Sequence, residues 1–283
     1  MRVLVIGGNG MLGRDVVAAF RHGHNVLWAD RACGDLTIDI TDRHATTAAL
    51  RQTTPELVIN CAAFTDVDRA EREPDEAYRI NAWGTWNLAS ACELHALPLM
   101  HVSTDFVFDG EKGAPYMEFD RPHPINEYGS SKLAGEHALQ WSMRRFWLVR
   151  TQWLFGAGGK CFPGTMLKLA ARQDTIDVID DQFGSPAYSV DVAAFMKTIV
   201  EECPFGVYHV NNSGECSWHD FARAIVERGG YDADMIRPIS AERFDSPTKR
   251  PRRSTLRRLS LEMQGKDNAR SWQDALADYF ASL

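Results

Sequence analysis

Tyr128-Gly-Ser-Ser-Lys132 sets a phenol and an ammonium four residues apart. On a helix that spacing puts both on one face. A free tyrosine, with a pKa near ~10, is a poor proton carrier at neutral pH, and a fixed cation beside it favours the phenolate. Such a pair is suited to moving a proton to or from an oxygen atom. Alone it is a short pattern that chance also produces. A second constellation, Gly7-Gly-Asn-Gly10-Met-Leu-Gly13, gives it context. Glycines there let the backbone approach a pyrophosphate, and a helix N-terminus behind them offers free N–H groups and a positive dipole end. The spacing is GxxGxxG rather than GxGxxG. A ligand-free glycine turn is the competing reading, which a flanking strand and helix weaken.

The elements that must position these residues are visible in the apolar pattern. Val3-Leu4-Val5-Ile6 runs directly into Gly7, as a strand buried on both faces does. Val16, Val17, Ala19 and Phe20 then recur at helical spacing. Residues 25–29 predict a second strand ending in Asp30, about 20 residues past the glycines, where a ribose-binding acid is expected. Further strands are predicted over 55–60, 98–103 and 146–149. Pro74 opens a predicted helix with apolar residues at 77, 80, 83, 88, 91 and 94. This alternation predicts an α/β fold. Residues 1–150 are expected to form a Rossmann-type, doubly wound parallel sheet. Residues 151–283 are expected to form a smaller C-terminal substrate-binding lobe that shares elements with it. In that lobe, residues 156–159 predict a mobile loop, and Ser217-Trp-His-Asp220 a capping box opening a helix to Arg228.

Composition excludes several function classes. The chain has 283 residues, 45% hydrophobic and 24% charged, as in an ordinary globular enzyme. A net charge of −7 argues against general nucleic-acid binding. No apolar run approaches the ~20 residues that span a bilayer, and the N-terminus lacks the form of a signal peptide. The six cysteines and nine histidines show no metal-ligand spacing. A reduced, cytoplasmic protein without a metal is expected. The basic run from Lys249 to Arg258 has three readings: a nucleic-acid or localisation signal, which the acidic remainder of the chain disfavours, a solvated surface loop, and a contact to a substrate diphosphate.

These motifs resemble those of the extended short-chain dehydrogenase/reductases, and within them the dTDP-4-dehydrorhamnose reductase group. The resemblance covers nearly the whole chain. It rests on the glycine turn, Asn60-Cys-Ala-Ala-Phe-Thr65, Asn81-Ala-Trp-Gly-Thr85, Ser103-Thr-Asp-Phe-Val-Phe-Asp-Gly110 and Asn126-Glu-Tyr-Gly-Ser-Ser-Lys132. Arg150-Thr-Gln-Trp153, Asp181-Gln-Phe-Gly-Ser-Pro186 and Arg250-Pro-Arg-Arg-Ser-Thr-Leu256 point to the reductase group. The resemblance implies reduction of the 4-keto group of a nucleotide-linked 6-deoxy sugar. Tyr128 would be the proton donor, Lys132 would hold the nicotinamide ribose and lower the Tyr128 pKa, and Thr104 would bond the carbonyl. It also implies dinucleotide contacts from Gly7, Asn9, Gly10, Met11, Leu12, Gly13, Asp30, Arg31, Asp39, Ile40, Ala62, Ala63, Phe64 and Thr65, and substrate contacts from Asp105, Trp153 and Arg252. Trp153 as a core aromatic and Asp39 as a helix cap are the bland alternatives.

Asp30 favours NADH by accepting from a free 2′-hydroxyl, whereas Arg31 and Arg14 would neutralise the 2′-phosphate of NADPH. NADPH is the expected cofactor, with NADH also used. Phe106 stands where the superfamily's 4,6-dehydratases carry a proton-transferring Glu, which disfavours that chemistry. A sister deoxysugar ketoreductase, a nucleotide-sugar epimerase and a non-catalytic NADP-binding regulatory subunit are the other readings. The sequence carries no interface signature, so both a monomer and a homodimer fit.

Overall fold

A computed structural model describes the whole chain, Met1–Leu283. Strands β1 (Arg2–Ile6), β2 (Asn25–Asp30), β3 (Leu36–Thr37), β4 (Leu57–Asn60), β5 (Leu99–Thr104), β6 (Phe146–Thr151) and an edge strand, Gly206–His209, form one seven-stranded sheet. All pairings in it are parallel, in the order edge strand, β6, β5, β4, β1, β2, β3. The direction of winding reverses between β1 and β4, which opens a crevice at their C-terminal ends.

The apolar run of β1 is explained by its two covered faces. Val3 and Val5 join a core with helix α1 (Met11–Arg21) and the Ser189–Glu202 helix. Leu4 and Ile6 join a second core with the Arg43–Thr53, Thr85–Leu94 and Glu127–Ser142 helices. The edge strand and the Ser189–Glu202 helix come from the second half of the chain, so that half completes the main sheet. A third core, including Phe155, Phe221, Trp272 and Tyr279, lies in the second half alone. There the capping box at Ser217 and Asp220 opens the Trp218–Arg228 helix. No helix is long and apolar enough to cross a membrane.

Two segments depart from the pattern expected of them. The helix opened by Pro74 is not regular: Pro74–Tyr78 and Thr85–Leu94 are α-helical, but Arg79–Gly84 is a π-helical turn. The wider turn shifts the helical phase, so Trp83 is 52% exposed while Asn81 is 1% exposed. The Asn81 side chain accepts from Phe64 N–H (2.8 Å) and donates to Phe64 O (3.1 Å) and Ser131 Oγ (3.0 Å). These bonds tie the loop after β4 to the Tyr–Lys helix.

The second departure is the basic run, which is no solvated loop. Pro251, Ser254, Thr255 and Leu256 are buried. Phe183 N donates to Arg252 O (2.8 Å), Ser254 N to Phe183 O (3.2 Å) and Tyr116 N to Thr255 O (2.8 Å). Residues 250–256 are thus an extended strap. Arg250 pairs with Asp68, Arg253 with Glu215, Arg257 with Glu262 and Arg258 with Asp267. Arg252 is exposed and has no carboxylate partner, the exception among these arginines.

Candidate active site

The glycine turn is built for close approach. Gly7 has φ +78° and lies so near the end of β4 that a Cβ there would stand 2.6 Å from Ala62 N. A Cβ at Gly13 would stand 2.0 Å from Gly7 O. Gly10 is the N-cap of α1, and no side chain caps that helix or puts an acid in its first turn. Its first N–H groups therefore face the crevice free to bind an anion. The turn fits a dinucleotide pyrophosphate.

The flanking groups differ in readiness. Asp30, ending β2, accepts from Arg31 N (2.7 Å), and the Arg31 side chain is exposed. Arg14 is held by Asn9 through Nε to the carbonyl (3.0 Å) and Nη2 to Oδ1 (2.7 Å). Asp39 does not cap the next helix; Asp42 does, accepting from His44 N and Ala45 N. Asp39 instead accepts from Thr41 N and Oγ1 (2.9 and 2.8 Å). Burial opposes its charge, but the Thr41 bonds and the Arg79 and Arg31 charges outweigh burial and hold its pKa below the usual range. Ile40 is buried, Ala62 and Ala63 are half-buried, and Phe64 is buried with Thr65 exposed beside it.

The Tyr–Lys helix, Glu127–Ser142, starts at Asn126, whose Oδ1 accepts from Gly129 N (2.8 Å). Its first turn presses on the end of β5: a Cβ at Gly129 would stand 2.1 Å from Phe106 O. That contact brings Tyr128 beside the Thr104 hydroxyl, with Phe106 edge-on to the phenol ring at 5.6 Å between centroids. Lys132 is 2% exposed, and its Nζ donates to Val102 O (2.7 Å), leaving two further N–H donors for a ligand. Burial lowers the Lys132 pKa to about 8, against the pull of Glu136. The lowering of Tyr128 by Lys132 does not occur here. Desolvation pushes the Tyr128 phenol up to about 12, against the Thr104 hydrogen bond, although the residue is only half-buried. The largest influence on the phenol is desolvation, with the Asp105 charge acting in the same direction.

Asp105 is 1% exposed. Thr104 Oγ1 donates to its Oδ1 (3.1 Å) and Ser254 Oγ to its Oδ2 (2.5 Å). Burial raises its pKa to about 7, with those two hydroxyls pulling the other way. Trp153 has a left-handed backbone (φ +41°) and stacks on Trp218 at 3.5 Å between centroids and 10° between planes. A Cβ at Gly184 would stand 2.6 Å from its Cε2, so the indole is also pressed from Gly184. Arg252 lines a hollow of about 470 Å³ with Gly110, Glu111, Gly113, Phe183, Glu215 and Arg253. Three residues here escaped the sequence reading. Asn81 and Ser254 lay inside motifs that carried the resemblance and Trp218 inside the capping box, but nothing local signalled what each would touch.

The comparisons with known proteins agree with this geometry. The model of the RmlD substrate binding domain family matches residues 1–283. A dTDP-4-dehydrorhamnose reductase of Mycolicibacterium smegmatis is 38% identical over 286 residues, covering 100% of this chain and 86% of the relative. A dTDP-4-keto-6-deoxy-D-glucose reductase of Streptomyces niveus is 38% identical over 283 residues, covering 100% and 97%. The crystal structure of the Bacillus anthracis dTDP-4-dehydrorhamnose reductase, in complex with NADP, superposes with a TM-score of 0.95 at 35% identity, covering 100% of this chain and 99% of that one. With a nucleotide cradle at the β1–β4 crevice and a Thr–Tyr–Lys set at the end of β5, the chain belongs to the RmlD family of NAD(P)H-dependent dTDP-deoxysugar 4-ketoreductases, on the extended short-chain dehydrogenase/reductase fold.

Proposed function

We propose that this protein reduces dTDP-4-dehydro-L-rhamnose to dTDP-L-rhamnose in the cytoplasm, using NADPH in preference to NADH. The observation that carries the reading is the meeting of Tyr128, Thr104 and Lys132 beside the glycine cradle. Reduced nicotinamide, when bound, supplies the hydride. Residues 7 to 13, Asp30, Arg31, Asp39, Ile40 and residues 62 to 65 hold the dinucleotide. The spare Lys132 N–H groups take its ribose hydroxyls. Tyr128 gives its phenolic proton to the carbonyl oxygen, so C=O becomes CH–OH. Its high pKa keeps that proton in place until charge develops on the substrate oxygen. Thr104 fixes the carbonyl's pose. Arg252, the strap arginine without an acidic partner, takes the substrate diphosphate.

A second reading is a sister ketoreductase acting on another dTDP-4-keto-6-deoxy sugar. The Streptomyces niveus relative favours it, being as similar to this chain as the Mycolicibacterium one. NADPH oxidation over a panel of dTDP- and UDP-linked 4-keto-6-deoxy sugars, with NMR assignment of the new hydroxyl, separates the two. Turnover of dTDP-4-dehydro-L-rhamnose at least tenfold above the rest supports the first reading. A higher kcat/KM for another sugar replaces it with the second.

A further inference from the structure

The strap and the catalytic Thr104 meet at one buried carboxylate. Thr104 has a single hydroxyl hydrogen, and in this structure Asp105 Oδ1 accepts it. Phe106 N donates to Thr104 Oγ1 (3.2 Å), and the Tyr128 phenol lies beside that hydroxyl. The one hydrogen of this hydroxyl is therefore engaged before a substrate arrives. To donate to a substrate carbonyl, Thr104 must withdraw its hydrogen from Asp105. In its carboxylate form Asp105 resists losing a donor, because an unsatisfied buried acceptor is costly.

Asp105 has no Lys or Arg partner to compensate. The other side-chain donor to it is Ser254 Oγ, at 2.5 Å on Oδ2. Ser254 is 2% exposed and lies 149 residues further along the chain. It is pinned by the strap's backbone bonds to Phe183 and Tyr116 and by the ion pairs of Arg250 and Arg253. The strap also lies tight on the loop after β5: a Cβ at Gly110 (φ +83°) would stand 2.6 Å from Arg252 N.

We propose that Ser254 is a positioning residue for the reduction: it keeps Asp105 hydrogen-bonded so that Thr104 can turn its one hydrogen to the substrate carbonyl. The proposal rests on the reading of Thr104 as the carbonyl-binding hydroxyl. It gives Asp105 a bond to Thr104 beside the expected contact to the sugar. It also joins the strap that carries Arg252 to the reacting centre, so diphosphate capture and carbonyl orientation share one element.

A double-mutant cycle tests it, because coupled residues deviate from additivity. Ser254→Ala should lower kcat at least about tenfold, with KM for the sugar and Kd for NADPH within about twofold, since the remaining strap bonds still hold Arg252. In a Thr104→Val background, Ser254→Ala should change kcat less than about twofold. Ser254→Cys, with a weaker donor of similar size, should fall between the parent and Ser254→Ala, and it carries the test if the alanine variant does not fold. Equal losses from Ser254→Ala in both backgrounds, or no loss in either, overturn the proposal. A Thr104→Val enzyme with parental kcat instead removes the role of Thr104 on which the proposal rests.

Discussion

Gly13→Ala isolates the steric demand of the nucleotide cradle. The new methyl would sit 2.0 Å from Gly7 O, 2.8 Å from Gly7 C and 2.9 Å from Gly8 Cα, all backbone atoms. Non-bonded atoms settle near ~3.5 Å, so α1 must retreat from the turn by more than about 1 Å. The turn cannot yield instead. Gly7 N and Gly8 N both donate to Ala29 O at the end of β2, and Gly7 O already accepts from Gly10 N (3.1 Å). Nor is α1 free, since its Val16, Val17 and Phe20 are locked in the core shared with the Ser189–Glu202 helix. Overpacking of this kind costs about 1–3 kcal/mol, and a backbone clash belongs at the upper end. At ~2–4 °C per kcal/mol the melting temperature should drop by roughly 5–10 °C. The shifted N–H groups should each lose much of a charge-assisted bond, so Kd for NADPH should rise at least about tenfold. Gly164→Ala is the control. It lies in the Phe162–Ala170 helix, where the nearest atom to a new Cβ is Cys161 Sγ at 3.7 Å, and it should leave NADPH affinity unchanged. Thermal melts and fluorescence titration of NADPH on both variants decide the matter. Parental melting temperature and affinity in Gly13→Ala would refute the steric account.

Other expectations follow from the same geometry. Tyr128→Phe keeps the ring against Phe106 and removes the proton; kcat should fall at least about 100-fold with NADPH affinity little changed, and near-normal turnover would sink the proton-donor role. Arg31→Ala removes an exposed guanidinium beside Asp30 and should raise KM for NADPH more than for NADH; equal effects rule out a 2′-phosphate contact. Trp153→Ala unstacks Trp218 and should cost about 3–5 kcal/mol while KM for the nucleotide sugar rises and NADPH affinity holds; a parallel loss of NADPH affinity would reduce Trp153 to core packing. Burial and the neighbouring Arg150 charge hold His209 down to about 3, so the native state keeps it neutral while the unfolded chain protonates it below its ordinary range. Stability should therefore fall as pH drops from about 6.5 toward 3, and His209→Asn should flatten that limb in acid-unfolding curves; an unchanged slope refutes the assignment.

The parts legible in the sequence are those set by local chemistry. Residues 3–6 announced a doubly covered strand because every side chain in it is apolar, and both faces are covered. Gly7 and Gly13 announced a cradle because other residues cannot occupy those positions without a clash. The parts that stayed hidden are set by partners far along the chain. The π turn at Arg79–Gly84 accompanies bonds from Asn81 to Phe64, 17 residues away, and to Ser131, 50 residues away. No periodicity encodes those bonds. Of the five arginines in the basic run, Arg250 and Arg253 meet acids far along the chain, Arg257 and Arg258 meet the nearby Glu262 and Asp267, and Arg252 meets none.

The electrostatics of the Tyr–Lys pair show the same division most sharply. Sequence gives proximity: Tyr128 and Lys132 do share a helix face toward the end of β5. It does not give the dielectric around them. Desolvation and the Asp105 charge act on the Tyr128 phenol, so the phenol ends above its ordinary pKa rather than below it. For a hydrolase base that outcome would be inhibitory. For a reductase it keeps the acid loaded, because the proton is wanted only when hydride addition makes the substrate oxygen more basic than a phenolate. The cover that raises Tyr128 is thus consistent with the direction in which the reaction is proposed to run.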